Sequence, residues 1–137
     1  MIDFLMPSND LTLVDSGLGL LAELTEKNKD NAQLLLDTGG YDYLTTQMAN
    51  HANSSHLQAR ACCVLGNLPV DVGNADGAVS LVLTAMKNHQ EDSVVQYEGC
   101  HALLHFCCLR PSTAKTLQLE EANTILCQSH FLSPIAH

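Results

Sequence analysis

The sequence predicts an all-α protein: a right-handed α-solenoid of about two complete helical repeats with partial repeats at both ends. Leu, Val and Met recur at steps of three and four residues between Gly and Pro, which is the spacing of amphipathic helices. Aromatic residues make up only 4% of the chain, which favours closely packed helices over a sheet sandwich. One unit also occurs twice, as in stacked helical repeats. Its two copies lie 38 residues apart, and Met48, Asn50, His51, Gln58, Cys62 and Leu65 recur as Met86, Asn88, His89, Gln96, Cys100 and Leu103.

The first helix is predicted over residues 11–25, after a lead-in segment over residues 1–10. Ser8, Asn9 and Asp10 supply side-chain oxygens that can cap its N-terminus. Five apolar side chains of this helix are spaced three or four residues apart, so they should form one stripe along it. They are Leu11, Val14, Leu18, Leu21 and Leu24.

A short helix is predicted over residues 30–37, with Asp30 or Asn31 as its N-cap. Gly39 should take the left-handed conformation that ends many helices. Two longer helices follow, over residues 41–50 and 56–68, and Pro69 ends the second of them because its ring cannot continue the hydrogen-bond ladder. The buried residues of this unit are predicted to be Leu44, Met48, Leu57, Ala61, Cys62, Val64, Leu65 and Leu68.

The same order of helices then repeats. The sequence predicts a weak short helix around residues 70–75, then helices over 78–88 and 93–109, with Pro111 as the next stop. A further short helix is expected over 112–119, and another begins at Ala122. The repeat domain is therefore predicted over residues 11–128, with an irregular tail over 129–137. Cys100 and Leu103, like their equivalents Cys62 and Leu65, should be buried.

Two pairs of polar residues recur at equivalent positions. His51 and His89 follow the second helix of each unit, where an imidazole can bond the free carbonyls at a helix C-terminus. Gln58 and Gln96 lie near the start of the third helix, and we expect them to bond the backbone of a neighbouring repeat. Both pairs are predicted to have structural roles.

The charge balance and the cysteines limit the classes of function. With 15 acidic and 6 basic residues, the net charge of −9 leaves no basic stripe for nucleic acid and favours a basic protein or peptide as partner. The cysteines include adjacent pairs and no Cys-x-x-Cys, so reduced thiols and a cytoplasmic or nuclear location are predicted. No signal peptide and no apolar run of membrane-spanning length is present, so no membrane association is expected.

Catalytic motifs are missing from the sequence. It contains no Gly-x-Ser-x-Gly, no Walker-type phosphate loop and no His-Glu-x-x-His, and we predict neither enzymatic activity nor a cofactor. One alternative is a zinc site, because His101, His105 and Cys108 share a helical face at i, i+4 and i+7. Such a site would make the protein a metal-dependent enzyme.

Two stretches resemble the signature of armadillo repeats. They are the short helix with its glycine stop, over residues 31–40, and the core of the third helix, over residues 61–68. The spacing of Met, Asn, His, Gln and Cys is more similar to the short, divergent armadillo units that precede leucine-rich repeats in large kinases. The resemblance covers residues 11–128. It implies a solenoid whose third helices line a concave groove.

In the best-known armadillo proteins, a Trp and an Asn four residues later hold a peptide in this groove. By this resemblance, Asn67 occupies the Asn position and Cys63 the Trp position, and His105 and His101 occupy them in the next repeat. Glu23 takes the Asn position in the first partial unit. The Trp ladder is therefore absent, which separates this chain from the members that bind nuclear localisation signals.

The sequence thus predicts a protein-interaction module or scaffold that binds an extended or helical, basic segment along the third helices. The candidate partner-binding residues are Asn67, His105, Glu23, Cys63 and His101. Two further alternatives are a structural fragment of a larger multi-repeat signalling or kinase-type protein, and self-association through uncapped repeat ends.

Overall fold

The computed structural model describes residues 10–69 and 72–109, and within these ranges every regular element is a helix. This confirms the all-α prediction for the described ranges. The helices predicted over 112–119 and from Ala122, the tail over 129–137 and nearly all of the lead-in segment lie outside them. The six helices are α1 Leu11–Thr25, α2 Lys29–Asp37, α3 Gly40–Asn50, α4 Ser55–Asn67, α5 Val72–Asn88 and α6 Ser93–Leu109.

The N-terminus of α1 is capped as predicted. Asp10 Oδ1 accepts a hydrogen bond from the backbone N–H of Thr12 at 2.9 Å, which satisfies one of the free donors in the first turn. Asp10 also accepts from the N–H of Leu13 at 3.3 Å. The sequence therefore placed the start of this helix correctly.

The cap of α2 differs from the prediction of Asp30 or Asn31. Asn28 is the N-cap, and its Oδ1 accepts from the backbone N–H of Asn31 at 3.0 Å. The helix starts earlier because Lys27 takes a positive φ of 56° and turns the chain sharply after α1. Asn31 instead donates from Nδ2 to the carbonyl of Leu24, which closes the end of α1.

Gly39 connects α2 and α3 in the left-handed conformation, with φ of 90° and ψ of 19°. A residue with a Cβ would be strained there, so the predicted role of this glycine is confirmed. The helix that follows begins at once with Gly40. A Cβ on Gly40 would lie 2.6 Å from the carbonyl oxygen of Leu35, so the tight α2–α3 corner requires glycine here as well.

The largest difference from the sequence prediction is α5. A short helix around residues 70–75, separate from one over 78–88, was expected, but a single helix runs over Val72–Asn88. Gly and Asn lower helix propensity, yet tertiary packing overrides a cost of about 1 kcal/mol per residue. Ala78, Val79 and Val82 are buried, and the hydroxyl of Tyr41 on α3 donates to the carbonyl of Asn74 at 3.2 Å. These contacts hold the beginning of α5 against α3.

The core lies between the inner faces of the helices. Every residue predicted to be buried in α3 and α4 is buried, and Val79, Val82, Leu83 and Met86 of α5 are buried as well. The stripe on α1 is narrower than predicted, because Leu11 and Leu24 are 43% and 38% exposed. Val14, Leu18 and Leu21 form the buried part of this stripe. Leu103 is buried as predicted, whereas Cys100 is only partly buried.

The recurring glutamines close helix ends inside their own repeat, and the prediction of a bond to a neighbouring repeat is wrong. Gln58 Nε2 donates to the carbonyls of Met48 and His51, both at 3.0 Å. Gln96 Nε2 donates to the carbonyls of Met86 and His89 at 2.9 and 3.1 Å. Each amide thus bonds two carbonyls at the C-terminus of the preceding helix, and the carbonyl of the histidine also accepts from the backbone N–H of Ser54 or Asp92.

The rings of the recurring histidines were expected to cap the C-termini of their own helices. They do not, so this prediction is wrong. His89 Nε2 lies 2.8 Å from the carbonyl oxygen of Ala52, in the equivalent turn of the preceding repeat. Because a carbonyl only accepts, Nε2 is the donor in this bond. Nε2 of His51 has no hydrogen-bond partner within the described part of the chain. The glutamines supply the cap, and His89 joins the two turns.

Candidate functional site

The helices α1, α4 and α6 form one layer, with α4 in the middle. On the α1 side, Arg60 of α4 donates from Nη1 to the carbonyl of Asp15 at 2.7 Å. On the α6 side, Gly66 permits a close approach, because a Cβ there would lie 3.2 Å from Cα of Ala102. The three helices that the sequence predicted to line a groove therefore do lie side by side.

Asn67 and His105, at equivalent positions, each bond the third helix that precedes them. Asn67 Nδ2 lies 3.2 Å from Thr25 Oγ1 and 3.4 Å from the carbonyl of Ala22 on α1. His105 Nε2 lies 2.8 Å from the carbonyl of Leu68, at the end of α4. Both side chains are partly buried. These bonds fix the spacing of the three helices at their C-terminal ends.

A cleft of about 300 Å³ runs across the middle of this layer. Three of its side chains are acidic, namely Glu23 of α1, Glu26 at the C-cap of α1 and Glu98 of α6. They lie on opposite sides of α4, so carboxylates from two different helices face the same space. The other residues of the lining are Gly19, Ala22, His56, Ala59, Arg60, Cys63 and Val94.

Cys63 lies between the acidic side chains and is half-buried. Burial is the main cause that raises the pKa of its thiol to about 12, and the charge of Glu98 and a hydrogen bond to it add to this rise. The thiol is therefore neutral at physiological pH. A neutral thiol of this kind is a weak nucleophile.

The basic groups at the cleft are already engaged with Asp15. The Asp15 carboxylate lies 2.8 Å from His56 Nδ1 and 3.6 Å from Arg60 Nη1. Arg60 also packs across α1, where a Cβ on Gly19 would collide with its guanidinium. Because Asp15 offsets the charge of Arg60, the lining as a whole keeps a negative charge from its three glutamates.

A family model described as LRRK2 ARM repeat matches residues 1–133. The chain belongs to the LRRK2 ARM repeat family. Its repeats are therefore armadillo repeats, and the resemblance given by residues 31–40 and 61–68 is confirmed.

One relative of this armadillo-repeat chain is Protein aardvark of Dictyostelium discoideum. The two sequences are 32% identical over 91 residues, which is 56% of this chain and 12% of the relative. The chain thus covers only a small part of the relative's length. No solved structure matches the chain.

Two of the five predicted partner-binding residues lie in the cleft, and three lie further along α4 and α6. Glu23 and Cys63 line the cleft. Asn67 lies one turn beyond Cys63 on α4, and His101 and His105 lie one and two turns beyond Glu98 on α6. Of these three, His101 is exposed. The predicted strip therefore starts in the cleft and continues towards the C-terminal ends of the helices.

Sequence reasoning missed Glu26, Glu98, His56 and Arg60 as residues of the cleft. Two signals could have found the glutamates. Glu26 is the C-cap residue of α1, three residues after Glu23, and Glu98 occupies the position in α6 that Arg60 occupies in α4. The contacts of His56 and Arg60 with Asp15 join α4 to α1 and leave no pattern in a single sequence.

The zinc alternative finds no support in the part of the chain that the structure describes. There, no three His, Cys, Asp or Glu side chains are placed to hold a metal ion. His105 instead bonds the carbonyl of Leu68. None of the helices in residues 10–69 and 72–109 combines the length and apolar character that a membrane span requires.

Proposed function

We propose that this armadillo module binds a basic segment of a partner protein in the cleft between α1, α4 and α6. The observation that carries the proposal is the convergence of Glu23, Glu26 and Glu98 on one cleft from two helices. The net charge of −9 adds a long-range attraction for a basic ligand. Solenoid repeats commonly bind partners along an extended concave surface.

In this proposal, the carboxylates of Glu23 and Glu98 bind Lys or Arg side chains of the partner. Cys63 lines the same cleft as a neutral thiol whose pKa is raised by burial and by the charge of Glu98. Asn67, His101 and His105 then accommodate the part of the segment that extends beyond the cleft. We expect an extended or a helical segment to follow this path along α4 and α6.

The test is a binding titration by fluorescence anisotropy with a labelled Lys-rich peptide and a Glu-rich peptide of equal length. We expect only the Lys-rich peptide to bind, and its Kd to increase as salt is added. The triple variant Glu23→Gln, Glu26→Gln, Glu98→Gln should bind more weakly. Each exposed ion pair contributes about 0.2–1 kcal/mol, so the triple change should raise Kd roughly 3- to 150-fold.

A matched control separates the cleft from the overall charge. The variant Asp30→Asn, Asp42→Asn, Glu91→Gln removes the same charge at exposed positions outside the cleft. It should bind within about twofold of the native chain at physiological salt, where charges that are far apart are screened. If both triple variants lose affinity equally, the attraction is general and the cleft is not the site. If the Lys-rich peptide does not bind at all, the alternative of a purely structural module is favoured.

A further inference from the structure

The turn between α3 and α4 and the turn between α5 and α6 have the same backbone hydrogen bonds. The N–H of Ser54 donates to the carbonyl of His51, and the N–H of Asp92 donates to the carbonyl of His89. Ser54 and Asp92 then cap the helix that follows, through their side chains. Because the two turns are built alike, we expect the rings of His51 and His89 to point in the same direction, towards the preceding repeat.

The partner of His89 defines where the partner of His51 should lie. Nε2 of His89 bonds the carbonyl of Ala52, which lies three residues before the start of α4. For His51 the preceding third helix is α1, which begins at Leu11. Three residues before this start is Ser8. The repeat relation therefore assigns the carbonyl of Ser8 to His51.

Three buried polar atoms along α3 have no hydrogen-bond partner within the described residues. They are Oη of Tyr43, Oε1 of Gln47 and Nε2 of His51. Their residues are spaced four apart, so the three atoms follow one another along one side of the helix. Tyr43 and Gln47 are only 3% exposed. Since buried polar groups nearly always have a partner in native proteins, a segment outside the described residues is expected to supply one.

The three atoms lie on the side of α3 that faces away from α5. The hydroxyl of Tyr41 bonds the carbonyl of Asn74 on α5, and Tyr43 lies two residues later, about 200° around the helix. The unpaired atoms are therefore on the side of the preceding repeat, where the ring of His51 is expected to point. Residues 1–9 are attached directly to α1, the third helix of that repeat.

The occupant of this side differs from an ordinary second helix. The fourth residue of α4 and of α6 is a Gln that closes the helix before it, through bonds to its last carbonyls. The fourth residue of α1 is Val14, so α1 has no such side chain for a helix before it. Pro7 also disfavours a helical conformation of the residue before it. An extended segment, unlike the side of a helix, has free N–H and C=O groups that can pair with Tyr43 and Gln47.

We propose that residues 4–8 cross α3 as an extended strap. The carbonyl of Ser8 accepts from Nε2 of His51, and earlier backbone groups of the strap pair with the other two unpaired atoms. The lengths agree, because Tyr43 and His51 are about 12 Å apart along a helix at 1.5 Å per residue, and roughly four residues of extended chain span the same distance. The strap holds the start of α1 to α3. None of its partners on α3 lines the cleft, so it is independent of the basic ligand.

The first test is Tyr43→Phe in the full-length chain, because a paired and an unpaired hydroxyl predict shifts of opposite sign. If the strap pairs with the hydroxyl, its removal should lower the midpoint of thermal unfolding by about 2–8 °C, the shift for one lost hydrogen bond. If the hydroxyl is unpaired, its removal should raise the midpoint. The control is Tyr97→Phe on α6, whose side chain is 69% exposed and which should leave the midpoint unchanged. A midpoint that rises or stays the same in Tyr43→Phe, or an equal shift in both variants, would overturn the proposal.

The second test locates the partner by nuclear Overhauser effects in the isotope-labelled native chain. We expect cross-peaks from the His51 ring to Pro7 and Ser8. The Tyr43 ring should show cross-peaks to residues before Pro7. If Tyr43→Phe lowers the midpoint but neither ring has cross-peaks to residues 4–8, ordered water is the partner and the strap is overturned. Cross-peaks that occur only between labelled and unlabelled copies in a mixed sample would assign the strap to a second chain and would also overturn the proposal.

Discussion

The helices α4 and α6 occupy equivalent positions in two repeats and share their inner contacts, but their outer faces are different. In both helices a buried Gln closes the preceding helix, and a polar residue near the C-terminus bonds the third helix before it. Gly66 and Leu104 are equivalent residues of the two helices. Gly66 of α4 packs against Ala102, whereas Leu104 of α6 is exposed. The comparison shows that packing within a repeat determines the inner face. The residues on the other face depend on what packs against the helix there.

The largest expected effect concerns the shared inner face. Leu65→Ala and Leu103→Ala should each lower the free energy of unfolding by about 2–5 kcal/mol, because both side chains are buried and their removal leaves a cavity. Leu104→Ala, one residue further along α6, should cost less than about 0.5 kcal/mol because Leu104 is exposed. Urea unfolding followed by circular dichroism measures all three. Equal losses for Leu103→Ala and Leu104→Ala would contradict the assigned orientation of α6.

The glutamine caps should give a smaller effect that is similar in the two repeats. Gln58→Ala and Gln96→Ala remove the side-chain donor from the carbonyls of Met48 and Met86 at a buried helix end, so a loss of about 1–3 kcal/mol is expected for each. Gln33→Ala serves as the control, since Gln33 is exposed and bonds only Asp37 on its own helix. If replacing either buried glutamine lowers the free energy of unfolding no more than Gln33→Ala does, the within-repeat cap does not contribute to stability.

The fold was largely predictable because most helix boundaries depend on residues that are close together in sequence. The boundaries of α1 and α6 and the glycine at position 39 follow from caps, apolar spacing and backbone conformation near each residue. The continuous α5 was not predictable, because contacts of Tyr41, Ala78 and Val82 outweigh the low helix propensity of its first turns. Local sequence does not contain those contacts.

The candidate site was predictable only in part, for a related reason. Glu23 and Cys63 were placed on the third-helix face by alignment of repeats, and both line the cleft. Glu98 was missed because its place in the cleft depends on how α6 crosses α4. The bonds of Asn67 and His105 to the preceding helix likewise connect residues 37–45 positions apart in sequence.

The smallest expected effect is a difference in thiol reactivity between the two helices. Burial raises the pKa of Cys62 and Cys63 to about 12, so the thiolate fraction at pH 8 is very small, and it increases about tenfold for each pH unit until that pKa. Cys108 is exposed on the outer part of α6. Among the cysteines that the structure describes, native maleimide labelling followed by peptide mass spectrometry should therefore modify Cys108 first and Cys62 last. Labelling of Cys63 as fast as Cys108 at pH 8 would contradict the half-buried position of Cys63.

Two-dimensional NMR of the labelled chain during titration with the Lys-rich peptide tests most directly whether the layer of α1, α4 and α6 is the binding surface. We expect the largest amide shifts near Glu23, Cys63 and Glu98, extending from there towards Asn67 and His101. We also expect α2 to remain unperturbed and the shifts to disappear at high salt. Shifts concentrated on α2 or α3, or shifts of equal size in the Glu23→Gln, Glu26→Gln, Glu98→Gln variant, would contradict the assignment of this layer as the binding surface.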